Sequence, residues 1–449
     1  MKIKVLQHDP EDHLPARAGD PTPVSRNLDP LAHPFAKARE RTRALNAAKI
    51  DRMFAKPFLA SLEGHVDGVN VVVRQPDSLS SIASASADGE IIVHDLPQRK
   101  HLVKIPGAHR RSATGLSYAG PSRLLSCGVD QTVKLWDVQV TADADGMEVD
   151  EEGEAIVRVG VHAIDHHRTD PLFATASNTV QLWDETKTSP VMNLTFPTAT
   201  ETITALKFNQ SEASILASTG SDRTFTLYDV RTGKAERRLV FQMRANALSW
   251  SPTLPTSILL ASEDHNLYTF DVRSLTSPTQ IYKGHVAAVM SCDWGPTGTE
   301  FVSGGWDRTI RIWKEGEGKG SEVYHTKRMQ RVFSTTYTGD ARFILSGSDD
   351  GNVRLWKAHA SEKLGIIAGR ERAAQEYRTK LREKWKFDPE VGRIERRRHL
   401  PKAIHSTATL KRTMLDARKV KEERRRQHSR AGEKKPTAER KKFVLAEQA

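Results

Sequence analysis

A short pattern that recurs seven times between residues 84 and 357 constrains the fold of this chain more than any other feature. Each copy joins a small Ser/Gly-rich strand, a tight turn and a β-rich strand. The clearest copies read SCGVDQTVKLWD, STGSDRTFTLYD, SGGWDRTIRIWK and SGSDDGNVRLWK. The seven copies end at Asp95, Asp137, Asp184, Asp229, Asp271, Lys314 and Lys357, with spacings of 42 to 47 residues. That period is typical of a four-stranded propeller blade, so the sequence predicts an all-β, seven-bladed β-propeller.

The two ends of the repeat array indicate how the ring closes. The last copy stops at its third strand, Asn352 to Trp356, and a β-rich stretch from Phe58 to Leu62 precedes the first copy. We expect this stretch to supply the missing fourth strand, which would remove an exposed sheet edge. The predicted organisation is therefore an N-terminal extension (1–56), a propeller (57–357) and a C-terminal tail (358–449).

Each copy also carries polar residues that resemble those of WD40 repeats, in which a His, a strand Ser, a turn Asp and a Trp hydrogen-bond within one blade. The sixth copy offers His285, Ser303, Asp307 and Trp313. The second offers His109, Ser126, Asp130 and Trp136, and the first offers His65, Ser84 and Asp88, with His94 replacing Trp. The predicted structural turn residues are Asp88, Asp130, Asp222, Asp264, Asp307 and Asp350. The third copy has Ser177 instead, and the third, fourth, fifth and seventh copies lack the His, so we expect those blades to be less tightly tied.

These His/Ser/Asp sets favour structure over catalysis, because a single active site would not recur at blade spacing. No Gly-rich phosphate loop or metal cluster accompanies them, and His166 and His167 read as a strand end. Cys127 and Cys292 do not form a disulfide framework, and we expect both to be buried in a protein of a reducing compartment. No apolar run approaches a membrane span or a secretory signal. The sequence thus predicts a non-enzyme without cofactor, metal, small-molecule substrate or membrane contact.

The excess positive charge lies in the tail. Residues 364–449 hold 26 Lys and Arg against 12 Asp and Glu, a net +14 in a chain whose total is +12. Three helical segments are predicted there: EKLGIIAGRERAAQEYRTKLREKW, EVGRIERRRHL between two prolines, and STATLKRTMLDARKVKEERRRQHSR. The last has a narrow apolar stripe, formed by Leu410, Met414, Ala417 and Val420, that suits docking on another surface.

We interpret this basic tail as an RNA or RNA–protein contact, since Lys and Arg bind phosphates without regard to sequence. The alternative is a solvated, partly disordered helix. The basic tracts also suit nuclear or nucleolar import. The predicted contact residues are Arg396, Arg397, Arg398, Lys411, Arg412, Arg418, Lys419, Lys421, Arg424, Arg425 and Arg426.

Two further segments lie outside the repeats. In the N-terminal extension, LDPLAHPF reads as extended and ALNAAKIDRMF as a short helix. The connection between the second and third copies contains TADADGMEVDEEGE, whose acidic residues favour a solvated loop. The alternative for this loop is a dock for a basic partner.

Together these features resemble the Sof family of WD-repeat proteins over nearly the whole chain. The most specific stretches are HPFAKARERTRALNAAKIDRMFAKPFLASLEGHVDGV, EDHNLYTFDVR, EVYHTKRMQ, NVRLWKAHASEKLG and RRRHLPKAI. The resemblance implies a non-catalytic scaffold of the nucleolar small-subunit processome, required for processing the precursor of 18S ribosomal RNA. It implies precursor ribosomal RNA, components of the U3 small nucleolar ribonucleoprotein and other processome proteins as partners.

Animal members of that family are also regarded as substrate receptors of a cullin-type ubiquitin ligase. The resemblance links this role to WD-x-R-type strand ends, which here read YDVR with Arg231 and FDVR with Arg273. These two arginines are therefore candidates for docking a ligase adaptor. The alternative is that each pairs within its own blade.

Overall fold

The computed structural model describes residues 34–138, 154–158, 161–194, 202–430, 433, 435 and 437–448. The chain forms two compact units, one made of residues up to Pro57 with His359–Arg398, the other of Phe58–Ala358 with His399–Ala449. The tail thus divides between the two units. Nearly all of the acidic TADADGMEVDEEGE segment, and LDPLAHPF up to its last two residues, lie outside the described residues.

The described elements are four α-helices, one 3-10 turn and 29 strands. The helices are α1 (Ala36–Met53), α2 (Gly369–Lys384), α3 (Pro389–Glu395) and α4 (Lys402–Gln427), and the 3-10 turn is Glu439–Lys442. The strands are β1 (Phe58–Leu62), β2 (Val69–Arg74), β3 (Ser81–Ser86), β4 (Ile91–Asp95), β5 (Lys100–Ile105), β6 (Ala113–Ala119), β7 (Arg123–Gly128), β8 (Thr132–Asp137), β9 (Glu154–Arg158), β10 (Ala163–His166), β11 (Leu172–Ala176), β12 (Val180–Asp184), β13 (Met192–Leu194), β14 (Ile203–Phe208), β15 (Ile215–Gly220), β16 (Thr224–Asp229), β17 (Lys234–Phe241), β18 (Ala245–Trp250), β19 (Ser257–Ser262), β20 (Asn266–Asp271), β21 (Gln280–Lys283), β22 (Val289–Trp294), β23 (Glu300–Gly305), β24 (Ile310–Lys314), β25 (Glu322–Tyr324), β26 (Val332–Tyr337), β27 (Phe343–Ser348), β28 (Val353–Lys357) and β29 (Val444–Gln448).

The strands of the second unit form seven antiparallel sheets, which are the blades of a propeller. Blades one to six are β2–β5, β6–β9, β10–β13, β14–β17, β18–β21 and β22–β25, and blade seven is β26–β28 with β1. The first strands of neighbouring blades contact each other around the ring, including β26 with β2. The predicted seven-bladed fold is confirmed, and each predicted copy end is the last residue of its blade's third strand.

The predicted closing strand is also confirmed. β1 pairs antiparallel with β28, with Phe58 opposite Trp356 and Leu62 opposite Val353. The Leu62 side chain is buried in a cluster of residues from blades seven and one. The ring is therefore closed by a blade assembled from two distant parts of the propeller sequence.

Glycines in the second strands of blades six and seven leave room for the next blade. A Cβ atom added to Gly304 on β23 would lie 2.6 Å from Val332 Cγ1 on β26. One added to Gly347 on β27 would lie 2.9 Å from Val69 Cγ1 on β2. Because such distances are too short for real Cβ contacts, the Ser/Gly pattern seen in the sequence sets the spacing between blades.

The first unit is a three-helix cluster in its described part. α1 packs against α2 and α3, with Ala44, Ala48, Leu381 and Val391 as its buried core. The small alanine side chains allow the helices to approach closely. Ion pairs surround this core, including one between Arg41 Nε and Asp388 Oδ2 at 2.6 Å. The helix predicted for ALNAAKIDRMF is part of the longer helix α1. The predicted EVGRIERRRHL helix ends at Glu395, the last residue of α3.

The remaining tail elements belong to the propeller unit. α4 has one buried residue, Ile404, near its start, and most of its later residues are exposed. β29 pairs with β17 and so adds a fifth strand to blade four. None of the helices in the described part of the chain is long and apolar enough to cross a lipid bilayer.

Candidate functional site

The hydrogen-bond chain of blade six is complete. Trp313 Nε1 donates to Ser303 Oγ at 2.7 Å, and Ser303 Oγ lies 2.7 Å from His285 Nε2. His285 Nδ1 lies 2.9 Å from Asp307 Oδ2, and that carboxylate also accepts from the backbone N–H and hydroxyl of Thr309. Burial lowers the pKa of His285, so the ring is neutral. A neutral ring protonated at Nδ1 accepts from Ser303 and donates to Asp307, which satisfies the whole chain.

Blade two repeats this chain. His109 lies 3.1 Å from Asp130 and 2.8 Å from Ser126, which accepts from Trp136 Nε1 at 2.9 Å. Ser126, like Ser303, is fully buried and already bonded to a His and a Trp. A substrate cannot reach either hydroxyl, so neither set is a catalytic triad.

Blade one departs from the predicted pattern. His65 Nε2 contacts Ser84 Oγ at 2.7 Å, and His94 Nε2 contacts the same hydroxyl at 2.9 Å in place of the Trp. Burial lowers the pKa of His94 to about 3, which keeps it neutral. The carboxylate nearest His65 Nδ1, however, is Glu90 at 3.5 Å. The predicted His65–Asp88 contact was therefore wrong, and Asp88 accepts from the Glu90 backbone N–H at 3.0 Å instead.

The blades that lack the histidine hold their turn aspartates by other side chains. Asp222 in blade four contacts Arg238 Nη2 at 2.5 Å. Asp264 in blade five accepts from the Tyr268 hydroxyl, and Asp350 in blade seven pairs with Arg354. Each substitute lies on a strand of the same blade as its aspartate. The turn aspartates of blades four, five and seven are thus held without a histidine, and the expectation that these blades are less tightly tied stays a prediction.

Blade three, including the two histidines at the end of β10, makes a different set of hydrogen bonds. Trp183 Nε1 donates to Thr175 Oγ1 at 2.9 Å, so a threonine takes the position of the strand Ser. His166 is the last residue of β10, as predicted, and its Nε2 lies 2.7 Å from Glu185 Oε1. His167 Nε2 lies 3.0 Å from the carbonyl oxygen of Ala213.

One group among the described residues has enough potential metal ligands to consider: His65, Asp88 and Glu90. The Lys104 ammonium lies 2.7 Å from Glu90 Oε1. Because this carboxylate is already paired with a cation, the group is better described as an ion-pair cluster. Cys127 and Cys292 are both buried and unpaired, as predicted, and burial raises the pKa of Cys127 to about 12.

The predicted basic contact residues fall into two sets. Arg396 and Arg397 lie in the helical unit and, with Arg393, line one surface depression. Arg398, in the same unit, donates a hydrogen bond from its guanidinium to the carbonyl oxygen of Glu395. The remaining predicted residues lie on α4, which carries nine Lys and Arg against three Asp and Glu.

Most of the α4 cations face solvent. The exposed members of the predicted set are Arg412, Arg418, Lys419, Lys421, Arg424 and Arg425. None of the six has an acidic side chain within ion-pair distance among the described residues. Lys421, Arg424 and Arg425 also line a common depression with His428 and Arg430. The exposed face of α4 therefore carries positive charge that acidic side chains of the described residues do not neutralise.

Lys411 differs from the other members of the set. Its ammonium donates to the carbonyl oxygen of His285 at 3.3 Å, and burial lowers its pKa. His399, just before α4, stacks on His325 with ring centroids 5.9 Å apart. Lys411 therefore anchors α4 on the propeller and does not belong to the exposed basic surface.

Arg231 and Arg273 occupy equivalent positions after the third strands of blades four and five. Their side chains are 83% and 75% exposed. Arg273 donates to both oxygens of Asp271, at 3.1 and 2.8 Å, whereas Arg231 Nη2 is 4.0 Å from Asp229. Pairing within the blade thus occurs at Arg273 and is weak at Arg231, and both guanidinium groups face solvent.

An exposed aromatic residue on blade six was not recognised from the sequence. Trp306 precedes the turn Asp307, and the Arg331 guanidinium lies 4.5 Å from its ring centroid. Trp and Arg are enriched at the centres of protein interfaces. The signal was present in the sixth copy, which has Trp where the fourth has Ser221 and the seventh has Asp349.

Comparisons with known proteins match both parts of the chain. A Sof1-like domain matches residues 358–444, and a WD domain (G-beta repeat) matches residues 100–137, 276–314 and 323–357. Protein SOF1 of Saccharomyces cerevisiae is 41% identical over 445 residues, which cover 94% of this chain and 90% of that protein. This chain belongs to the Sof1 family. The resemblance seen in the sequence is confirmed.

Further relatives come from vertebrates. Proteins called DDB1- and CUL4-associated factor 13 from Xenopus tropicalis and Homo sapiens are each 42% identical over 99% of both chains. Among solved structures, the WD40 propeller domain of Doa1 has a TM-score of 0.56 at 21% identity and covers 67% of this chain and 96% of that one. This last likeness concerns the fold alone.

Proposed function

We propose that this protein is a non-catalytic scaffold of the nucleolar small-subunit processome, required for processing the 18S precursor RNA and for making the 40S subunit. The proposal rests on family membership and on one observation, the exposed and unpaired cations of α4. The propeller would bind proteins, and the tail would bind RNA or RNA–protein surfaces. The proposed partners are precursor ribosomal RNA, U3 ribonucleoprotein components and other processome proteins, in the nucleus and nucleolus.

The propeller suits protein binding for geometrical reasons. Its blades hold many loops on a rigid ring, so several partners meet surfaces of fixed geometry. The exposed Trp306 with Arg331 is the kind of pair that contributes strongly to protein interfaces. The Ser126 and Ser303 hydroxyls are both buried, which supports a structural role for the His–Ser chains and a scaffold role for the propeller.

The basic helix suits contact with the RNA backbone. Each phosphate neutralised by Lys or Arg releases counterions, which makes binding steeply dependent on salt. The affinity from such contacts is largely independent of base sequence. We therefore assign the exposed face of α4, defined by Arg412, Arg418, Lys419, Lys421, Arg424 and Arg425, as the RNA-contacting surface.

Replacing five of these cations by glutamine (Arg418, Lys419, Lys421, Arg424, Arg425) is expected to abolish the function while preserving the helix, since Gln is a good helix former. In cells depleted of the wild-type protein, the variant should fail to restore 18S production, and unprocessed precursor should accumulate. In vitro, the slope of log affinity for single-stranded RNA against log salt should fall by up to about 3.5, at roughly 0.7 per contact. Northern blotting and fluorescence anisotropy measure the two effects.

A matched control replaces five exposed propeller lysines by glutamine and so removes the same charge elsewhere: Lys100, Lys187, Lys234, Lys314 and Lys319. This control should restore 18S production and keep the salt slope. An α4 variant that restores normal 18S production would contradict the proposed function. An unchanged salt slope would contradict the role of α4 in RNA contact.

A second candidate function is that of a substrate receptor for a cullin-type ubiquitin ligase. It is favoured by the names of the vertebrate relatives and by the exposure of Arg231 and Arg273 on adjacent blades. Replacing both arginines by glutamate should abolish co-purification of the ligase adaptor, whereas Lys234→Glu nearby should leave it intact. Equal adaptor recovery with the double variant, or none with the wild type, would refute this candidate.

A further inference from the structure

The outer edge of blade four carries a strand that the blade does not need. β14–β17 already form a four-stranded sheet like those of the other blades, and β29 from the end of the chain is added to β17. We propose that this edge is a binding site for extended peptides with an aromatic residue near their middle, and that residues 439–448 of this chain are its resident ligand. The C-terminal segment is therefore an exchangeable ligand and not a structural part of the blade.

Backbone pairing supplies the first part of this site. β29 runs antiparallel to β17, with Val444 opposite Phe241 and Gln448 opposite Arg238. The Gln242 N–H also donates to the Phe443 carbonyl oxygen at 2.9 Å. Such strand addition gives affinity through main-chain hydrogen bonds and leaves selectivity to side-chain pockets.

The second part of the proposed binding site is an aromatic slot that holds the Phe443 side chain. The Phe443 side chain is 3% exposed and lies between blades four and five. Its ring centroid is 3.7 Å from that of Tyr268, 4.6 Å from that of Phe241 and 6.2 Å from that of Phe270. These three rings come from the propeller itself, so the slot is built by the blades.

Charged contacts on both sides of the slot define the rest of the ligand. Before Phe443, the Arg440 guanidinium donates to the Thr279 carbonyl oxygen at 2.9 Å, and Glu439 lies 2.5 Å from Lys283. After it, Glu447 lies 3.7 Å from Arg237. The site therefore suits an extended peptide with an aromatic residue flanked by acidic residues four positions away on either side.

The remaining residues of the segment contribute little side-chain packing. All of β29 beyond Val444 is exposed, and the Leu445 side chain is 61% exposed. Attachment thus depends on the backbone pairing and on a single buried ring. Because the segment is tethered to the propeller, its effective concentration at the site is in the millimolar range, so even a modest intrinsic affinity keeps the site filled.

The test uses the full-length chain and a fluorescent peptide with the sequence of residues 437–449. In the wild-type protein the tethered segment competes with the peptide, whereas Phe443→Ala weakens that segment and leaves the slot intact. We expect the peptide to bind the Phe443→Ala protein at least tenfold more tightly than the wild type in an anisotropy titration. Leu445→Ala, which changes an exposed side chain of the same strand, should behave as the wild type. A peptide that carries the Phe443→Ala change should not bind.

A second measurement does not depend on the folding of a variant. Millimolar wild-type peptide added to the wild-type protein should speed hydrogen exchange at Val444–Gln448 and leave β17 protected. Equal peptide binding by the wild-type and Phe443→Ala proteins, or no binding by either, would overturn the proposal. Unchanged exchange at β29 in the presence of the peptide would overturn it as well.

Discussion

Leu62→Asp is expected to destabilise the propeller by roughly 5 kcal/mol or more and to make its unfolding less cooperative. Truncation of a buried leucine alone costs about 2–5 kcal/mol, and a carboxylate placed in its apolar cluster adds a desolvation penalty. The same change detaches β1 from β28, which reopens the ring at blade seven. Urea unfolding followed in parallel by tryptophan fluorescence and far-UV circular dichroism measures both effects.

Val66→Asp is the matched control, because it introduces the same carboxylate at an aliphatic residue that is 89% exposed just beyond β1. This variant should unfold within about 0.5 kcal/mol of the wild type, as is usual for surface substitutions. An exposed edge on β28 should also make the Leu62→Asp protein associate on size-exclusion chromatography. The role of β1 in closure is refuted if both variants have the same free energy of unfolding.

Asp307→Ala is expected to lower the free energy of unfolding by about 3–5 kcal/mol, because each buried donor left without its acceptor costs about 1–3 kcal/mol. The substitution leaves His285 Nδ1, the Val286 N–H and both donors of Thr309 without their acceptor. Asp88→Ala is the natural comparison, because that exposed carboxylate accepts a backbone hydrogen bond from the Glu90 N–H. Its loss should cost only about 1 kcal/mol.

Comparing the loss of unfolding free energy in Asp307→Ala with that in Asp88→Ala tests whether the hydrogen-bond chain, and not the turn alone, stabilises the blade. Both residues occupy the same position between the second and third strands of their blades. If the turn conformation were the main contribution, the two substitutions would cost the same. Chemical denaturation of both variants at neutral pH decides between these outcomes.

The sequence was most informative where one local pattern decides one structural outcome. The seven copy ends and the closing strand Phe58–Leu62 were predictable, because alternating apolar residues and an Asp turn specify strand ends without knowledge of the rest of the fold. The Trp–Ser–His–Asp chains of blades two and six were predictable for the same reason. The Ser, Asp and Trp lie at the same spacing in both copies, and the His precedes the Ser by 17 residues in blade two and 18 in blade six.

The sequence was less informative where a partner is chosen by geometry. Glu90 approaches His65, and Arg238 on β17 pairs with Asp222 in the turn before β16, because the folding of each blade brings these side chains together. No offset within a copy indicates such a partner. Lys411 similarly has the composition of an RNA contact, and only the docking of α4 places it on the carbonyl oxygen of His285.

The C-terminal strand lay beyond sequence reasoning for a different reason. Five residues with one partly buried side chain have neither the length nor the alternation that marks a strand. Phe443 carries the main signal, because it is the only Phe, Tyr or Trp after Phe387 in the sequence. What it packs against is decided by two blades that lie about 170–200 residues earlier in the chain.

The closure of blade seven also affects how the protein is made. Leu62 pairs with Val353, so the two halves of that blade are synthesised about 290 residues apart. At about 5–20 residues per second, β1 leaves the ribosome roughly 15–60 s before its partner strand exists. Contacts of such long sequence separation form late in folding. The nascent chain therefore carries an open ring with an unpaired edge for most of its synthesis, and this interval is when it most needs protection from premature association.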